Sequence, residues 1–269
     1  IAREVRDTRA SARRRPRGQG APLKLVDAFT DWAQALEVSS FPIARVVAGS
    51  DNLPIEQLAA ANAPAAAEAI RYVNTHLRGH IEGNRLTRVE VLNEPRPYDA
   101  GDMRWLCQFL YSAAEYLYND LGVRAVLGNF AAGSPDQESP LWREARPLAE
   151  ACQRFGAVIG SHDYFYTPPV WTDNAGTIRF DAARMRSDPF AYRADVLYER
   201  FLAWGFGPSA WAKTEAGFEK HSNIEGSNTW KGIGIADIEY ARAMVHYATT
   251  TRWPVYVFTS GNDAGWENH

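Results

Sequence analysis

The chain has 269 residues, 46% of them apolar, and a formal charge of -3. That length suits one large domain or two small ones with a sizeable core, and the near-neutral balance speaks against a general polyanion binder. No apolar run is long enough to cross a membrane, and the two cysteines, Cys107 and Cys152, fall in predicted helices and suggest neither a disulfide framework nor a metal site.

Residues 1–20 carry seven arginines and only two acids. They show no apolar period and read as a mobile basic arm or an expression remnant, with nucleic-acid binding the less favoured reading. The rest, residues 21–269, reads as one domain in which strand and helix patterns alternate. Residues 22–38 predict an amphipathic helix, with Leu23, Val26, Phe29, Ala33 and Leu36 near one face. Ile43–Ala48 reads as a strand, followed by a loop at Gly49–Asn52. Residues 64–82 read as a helix with Ile70, Val73, Leu77 and Ile81 on one face, and Arg88–Leu92 as the next strand. Residues 102–121 form a strong helix pattern that Gly122 stops.

Val123–Leu127 is a predicted strand. Residues 140–155 are helical, with Pro147 blurring the start. Ala157–Gly160 is a short buried strand. Residues 163–188 read as a long aromatic-rich loop, a length that is often functional. A helix over 189–204, a strand at Ser209–Thr214, a loop at Glu219–Lys231, a helix over 236–250 and a strand at Pro254–Thr259 complete the pattern. Six strands separated by helices imply an α/β fold of parallel units with right-handed crossovers. No glycine-rich turn follows the first strand and no phosphate loop occurs, which favours a (β/α)8 barrel over a doubly wound nucleotide binder.

Asn93-Glu94-Pro95 follows the strand Arg88–Leu92, and the strand Ser209–Thr214 ends on Glu215. Either glutamate alone reads as a solvated surface charge. Together, each at the carboxyl end of its own strand, they suggest the acid/base pair of a sugar-cleaving enzyme. With these residues in this order, the chain resembles the retaining glycoside hydrolases of clan A, built on the (β/α)8 barrel. Members of that clan carry Asn-Glu at the end of the fourth strand and a second Glu at the end of the seventh. Taking Pro254–Thr259 as the eighth strand makes Ser209–Thr214 the seventh and Arg88–Leu92 the fourth. Ser161-His162-Asp163-Tyr164, after the sixth, is similar to the clan's His-x-Tyr arrangement, and Trp266 to its sugar-platform tryptophan. The resemblance covers roughly residues 40–269.

The resemblance implies a glycosidase that works without metal or cofactor on a carbohydrate substrate. Glu94 would be the acid/base, with a pKa raised by a less polar setting, and Glu215 the ionised nucleophile. Asn93 would donate to the sugar 2-hydroxyl. Tyr164 would donate to Glu215, and His162 would bind sugar or position a glutamate. Strand-end position alone makes Asn129 and Arg45 candidates, Asn129 facing the cleft and Arg45 pairing inside the barrel with a carboxylate. Trp230 and Trp171, in loops, offer indole faces for stacking on sugar. His76 and His80 stand four apart on a helix, a spacing that can hold a metal, but no third ligand is near and they read as surface residues.

The strand count leaves strands one and two without sequence and no helix after residue 259. The barrel is therefore expected to be incomplete, either as a fragment or with a partner chain covering its open side. Two rivals to an active glycosidase follow: a non-catalytic carbohydrate-binding protein on the same barrel, and a structural subunit docking through its arginine arm. A secreted and a cytoplasmic location fit the chain equally.

Overall fold

The computed structural model describes residues 21–27, 29–47, 53–165, 169–188, 190, 192–218 and 235–257. Seven parallel strands form one sheet: β1 (Leu23–Val26), β2 (Pro42–Arg45), β3 (Arg88–Val91), β4 (Arg124–Phe130), β5 (Val158–Phe165), β8 (Trp211–Phe218) and β9 (Val255–Val257). They pair in that order. A separate antiparallel ribbon joins β6 (Val170–Thr172) to β7 (Ile178–Phe180). Helices cross over between strands: α1 (Trp32–Val38), α2 (Ile55–Ala60), α3 (Ala65–Tyr72), α4 (Arg78–Asn84), α5 (Ala100–Leu121), α6 (Arg146–Phe155), α7 (Ala182–Ser187), α8 (Arg193–Ala203) and α9 (Asp237–Thr250).

The sheet curls into a nearly closed barrel. Among the described residues β1 and β9 share no ladder, yet contacts span the interior. The Tyr256 hydroxyl on β9 donates to the Phe41 carbonyl beside β2, 2.5 Å away. Lys24 on β1 reaches the Thr214 carbonyl on β8 at 3.2 Å. Ile43, Val126, Val158, Ala212 and Tyr256 pack as an apolar layer within the barrel. Alternate strand residues such as Val89, Val91, Leu127, Ile159 and Trp211 face outward into a larger core shared with the helices. Parallel strands buried on both faces read as short apolar runs for this reason.

Two bulges break the alternation. On β4, Leu127 pairs with Ile159 but Phe130 with Ser161, so β4 carries one extra residue there. Gly128 (φ 81°) and Asn129 (φ 38°) make that kink, and glycine takes the left-handed conformation at little cost. On β8, Lys213 pairs with Ser161 but Glu215 with His162. The same extra residue shows against β9, where Lys213 faces Val255 and Ala216 faces Val257.

The structure corrects several expectations. Residues 22–38 are not one helix but β1, a 3-10 turn at Phe29–Asp31 and α1. Leu23, Val26 and Phe29 mimic a helical face, but Leu23-Lys24-Leu25-Val26 pairs along its whole length with Pro42–Arg45. With β2 as the third barrel strand, β1 is the second, so only the first has no described counterpart. The helix over 64–82 is α3 and α4 joined by a π turn at Val73–Leu77, and α2 precedes it. The helix over 140–155 is a 3-10 turn, Pro140–Glu144, followed by α6 with Pro147 in its first turn, where the missing N–H costs nothing. The loop over 163–188 contains the end of β5, the β6–β7 ribbon and α7. Residues 1–20, the Gly49–Asn52 loop and the loop at Glu219–Lys231 lie outside the described residues.

On the outer face of the sheet a buried charge network ties β5 and β8 to the helices. Lys213 is fully buried and lies 3.1 Å from Asp163 and 2.7 Å from Asp195 on α8. It also donates to the Tyr247 hydroxyl on α9 at 2.8 Å, which in turn donates to Asp163. Burial pushes the Asp163 carboxyl up, but Lys213, with hydrogen bonds from Ser161 and Tyr247, outweighs it and holds the group below the usual carboxylate value. Lys213→Ala is therefore expected to cost about 3–5 kcal/mol at neutral pH, since it leaves a buried carboxylate unpaired. In that variant burial is opposed only by the Ser161 and Tyr247 hydrogen bonds and the Arg193 charge, so the Asp163 pKa should rise. The deficit should then shrink as pH falls toward about 4, where the carboxyl protonates. Urea unfolding of both proteins across pH 4–7 checks this, and a deficit independent of pH would contradict it.

Candidate active site

The strand ends converge on one imidazole. β5 sends His162 and Tyr164 inward at alternate positions, and His162 is completely buried. Its Nδ1 lies 3.0 Å from Glu94 Oε1 and 3.6 Å from Glu215 Oε2. The 3.0 Å contact is a hydrogen bond whose direction depends on which partner holds the proton. Both oxygens touch the same nitrogen, so they stand at most about 6.6 Å apart, on the scale of paired carboxylates in glycosidases.

Glu215 owes its direction to the β8 bulge. Trp211 packs outward and Lys213 meets the outer helices. Strict alternation would send Glu215 the same way, and the extra residue turns it into the barrel beside His162. There its Oε1 accepts from Arg45 at 2.7 Å and Lys24 at 3.1 Å, and its Oε2 from Tyr164 at 2.9 Å. Burial pushes this carboxyl up. The charges of His162, Lys24 and Arg45 and the Tyr164 hydrogen bond outweigh it and hold the pKa at about 2. Glu215 is thus fixed as a carboxylate. The Tyr164 phenol shifts the other way, raised first by burial and then by the Glu215 charge.

Glu94 sits on a turn that few non-glycine residues adopt. Leu92 (φ 64°) and Glu94 (φ 47°) are both left-handed, each at a cost of about 1–3 kcal/mol. Asn129, the bulge residue of β4, clamps the turn from behind. Its Nδ2 donates to the Leu92 carbonyl at 2.7 Å, and its own carbonyl accepts from the Glu94 N–H at 3.1 Å. Gly160 is required beside it, because a Cβ there would stand 2.1 Å from Asn129 Oδ1. Asn129 is wholly buried and supports the turn.

The Glu94 side chain is 38% exposed. Its pKa is lowered, first by the hydrogen bond from His162, against burial; the His162 and Arg96 charges lower it further and the Glu215 charge raises it. This corrects the expectation of a raised value: the setting of Glu94 is polar, with its carboxyl on an imidazole. The sequence reading also missed two interior residues. Glu90 on β3 is buried 3.0 Å from Lys24, and burial raises its pKa despite Lys24 and Arg45. Lys24 bridges Glu90 and Glu215. A charged residue inside the apolar runs Leu23–Val26 and Arg88–Val91 was the available signal.

A cleft of about 530 Å³ opens from Glu94 between the Asn93–Tyr98 turn and the start of α2. Asn93 lines it, and Asn93 Oδ1 is buried with no hydrogen-bond partner among the described residues. Trp230 and Trp266 lie outside the described residues. Trp171 is on β6, half exposed. His76 and His80 pack against Tyr72 and Phe29. No cluster of three metal-ligating side chains occurs among the described residues.

Solved structures share this architecture. CJP38, a beta-1,3-glucanase and allergen of Cryptomeria japonica pollen, aligns with TM-score 0.54 at 14% identity over 92% of this chain and 85% of its own. The GH5-4 broad specificity endoglucanase from Clostridum cellulovorans aligns with TM-score 0.52 at 11% identity over 98% and 80%. The chain has a (β/α) barrel fold. At these identities the likeness is one of fold. Neither a family model nor a curated relative matches the sequence.

The geometry makes His162 the group that holds Glu94 ionised. Replacing it with Phe keeps an aromatic ring there, though a larger one, and removes the donor, so the Glu94 pKa should rise. Tyr164→Phe should raise that of Glu215 from about 2. Carboxyl-carbon NMR titration reads both midpoints. A Glu94 midpoint unmoved by His162→Phe would remove the imidazole as the cause.

Proposed function

We propose that this chain is a glycoside hydrolase that cleaves O-glycosidic bonds with retention, using Glu94 as acid/base and Glu215 as nucleophile. One observation carries the reading. Two carboxylates at the ends of different strands reach the same imidazole nitrogen, one buried, the other partly open to a cleft. Both are held low in the free protein, so the reading requires bound substrate to desolvate Glu94 and raise it into the acid form that glycoside cleavage needs.

The steps follow from the contacts. Lys24 and Arg45 occupy Glu215 Oε1, which leaves Oε2, on the Tyr164 side, to attack the anomeric carbon. Glu94, protonated once the bound sugar has desolvated it, gives its proton to the departing oxygen as the glycosidic C–O bond breaks, and an ester forms on Glu215. Glu94, now a base, takes a proton from water. The water oxygen then bonds to the anomeric carbon and Glu215 leaves as carboxylate. The same electrostatics move the Glu94 proton. The Glu215 charge raises the Glu94 pKa, so esterification removes that push and favours the base form for the second step. Asn93 Oδ1 and its amide are placed beside Glu94 for the neighbouring sugar hydroxyl.

Glu215→Ala should abolish turnover of aryl glycosides, and azide should restore it by attack from the vacated side. Glu94→Gln should slow substrates with poor leaving groups far more than activated ones, because only the former need the proton. Steady-state rates across a leaving-group series with and without azide test both roles. A folded wild type that binds oligosaccharides but turns over none of the series would favour the non-catalytic sugar-binding reading instead.

A further inference from the structure

The cleft beside Glu94 touches the proposed acid and not the proposed nucleophile. Its wall residues come from the Asn93–Tyr98 turn and from the loop into α2, and none comes from β5 or β8. In a retaining reaction the glycone is bonded to the nucleophile, while the acid faces the oxygen of the group that departs. A cavity that reaches Glu94 and its neighbour Asn93 but not Glu215 therefore opens on the departing side. Its volume of about 530 Å³ falls in the range of small-molecule sites.

The wall chemistry says what fits. Tyr98 stands on the lip with 73% of its surface exposed. A large aromatic left open at the rim of a cleft offers an apolar face and a polar tip, the combination that stacks on a sugar ring. The backbone beneath it is fixed. The Tyr98 N–H donates to Asp102 Oδ2 at 3.0 Å, and the Asp102 N–H to Asp99 Oδ1 at 2.9 Å, so α5 holds the ring's mount in place. Opposite, α2 starts with Ile55, Glu56 and Gln57. Glu56, Glu94 and Arg96 line the cleft, two acids against one guanidinium, and Gln57 adds an amide. Among the described residues the wall has hydrogen-bonding groups and no excess of positive charge, which suits hydroxyls and gives a uronate or sulfate no preference.

Resting on the reading of Glu94 as the acid, we propose that this cleft is a leaving-group subsite for an uncharged sugar, with Tyr98 as its stacking platform and Arg96, Glu56 and Gln57 as its hydroxyl partners. The substrate class is then a neutral di- or oligosaccharide, and simple alkyl or aryl glycosides use only half of the site.

Comparison of two leaving groups tests this. A glycosyl fluoride loses a single atom and needs neither the acid nor the cleft. Tyr98→Ala should lower kcat/KM for a matched oligosaccharide about tenfold more than for the fluoride, the loss expected from one stacking contact. Equal losses on both substrates, or none on either, would overturn the subsite. If wild type turns over neither, the glycosidase reading has failed, and the cleft is judged by binding. Saturation-transfer NMR with neutral gluco-, manno- and galacto-disaccharides should then show contact in wild type that Tyr98→Ala loses. Contact unchanged in the variant, or absent from wild type, would overturn the proposal.

Discussion

Two carboxylates meeting one buried imidazole nitrogen is the constraint around which the rest of this barrel is arranged. Like charges repel, and burial disfavours both. The pair persists because each glutamate has its own counterweight. Glu215 has Lys24, Arg45 and Tyr164, and Glu94 has His162 and the nearby Arg96. Those partners come from β1, β2, β5 and the turn after β3, so the sheet must curl before the pair is tolerable. A flat sheet would hold Lys24 and Glu215 strands apart, because five ladders separate β1 from β8.

This arrangement is costly in itself. The interior holds two cations and two carboxylates within a few ångströms, and left-handed backbone flanks Asn93. Stability has to come from elsewhere, since buried ion pairs at best roughly offset their own desolvation. The large outer core between sheet and helices is the obvious source, with α5 contributing Met103, Leu106, Phe109, Leu110 and Leu117 to it. Arg193 adds a clamp at the carboxyl end of β4. It donates to the carbonyls of Phe130, Ala131 and Pro135, and burial brings its pKa down to about 10.

Much of this is legible in the amino-acid sequence. Alternating β and α patterns carry the barrel, because crossover geometry leaves few other folds. Glu94 and Glu215 stand out because carboxylates at strand ends face the site on this architecture. The rest was hidden for physical reasons. β1 has only four residues, and at that length a spacing of three mimics a helix; Lys24 was hidden with it. Glu90 and Lys24 look like surface charges until the curl places them inside. Asn129 has a strand-end address, but its bulge turns it into a support behind the turn. The Glu94 pKa depends on a residue 68 positions away, which no local pattern reports.

The bulge on β8 makes chain length a carrier of meaning. Lys213 serves the outer charge network and Glu215 the inner one, and the single residue Thr214 lets two charges on one strand face opposite ways. Substitution at Thr214 leaves that count intact. Deleting it would leave Glu215 directly after Lys213, in the pairing it already has with His162, so ordinary alternation would still turn it inward. Adding a residue is the damaging change: unless the bulge grows to absorb it, Glu215 turns to the outer face and every later residue of the strand moves one place against both neighbours. In drift or engineering of this barrel, the strand should accept loss of its extra residue far more readily than gain of a second one between Ala212 and Ala216.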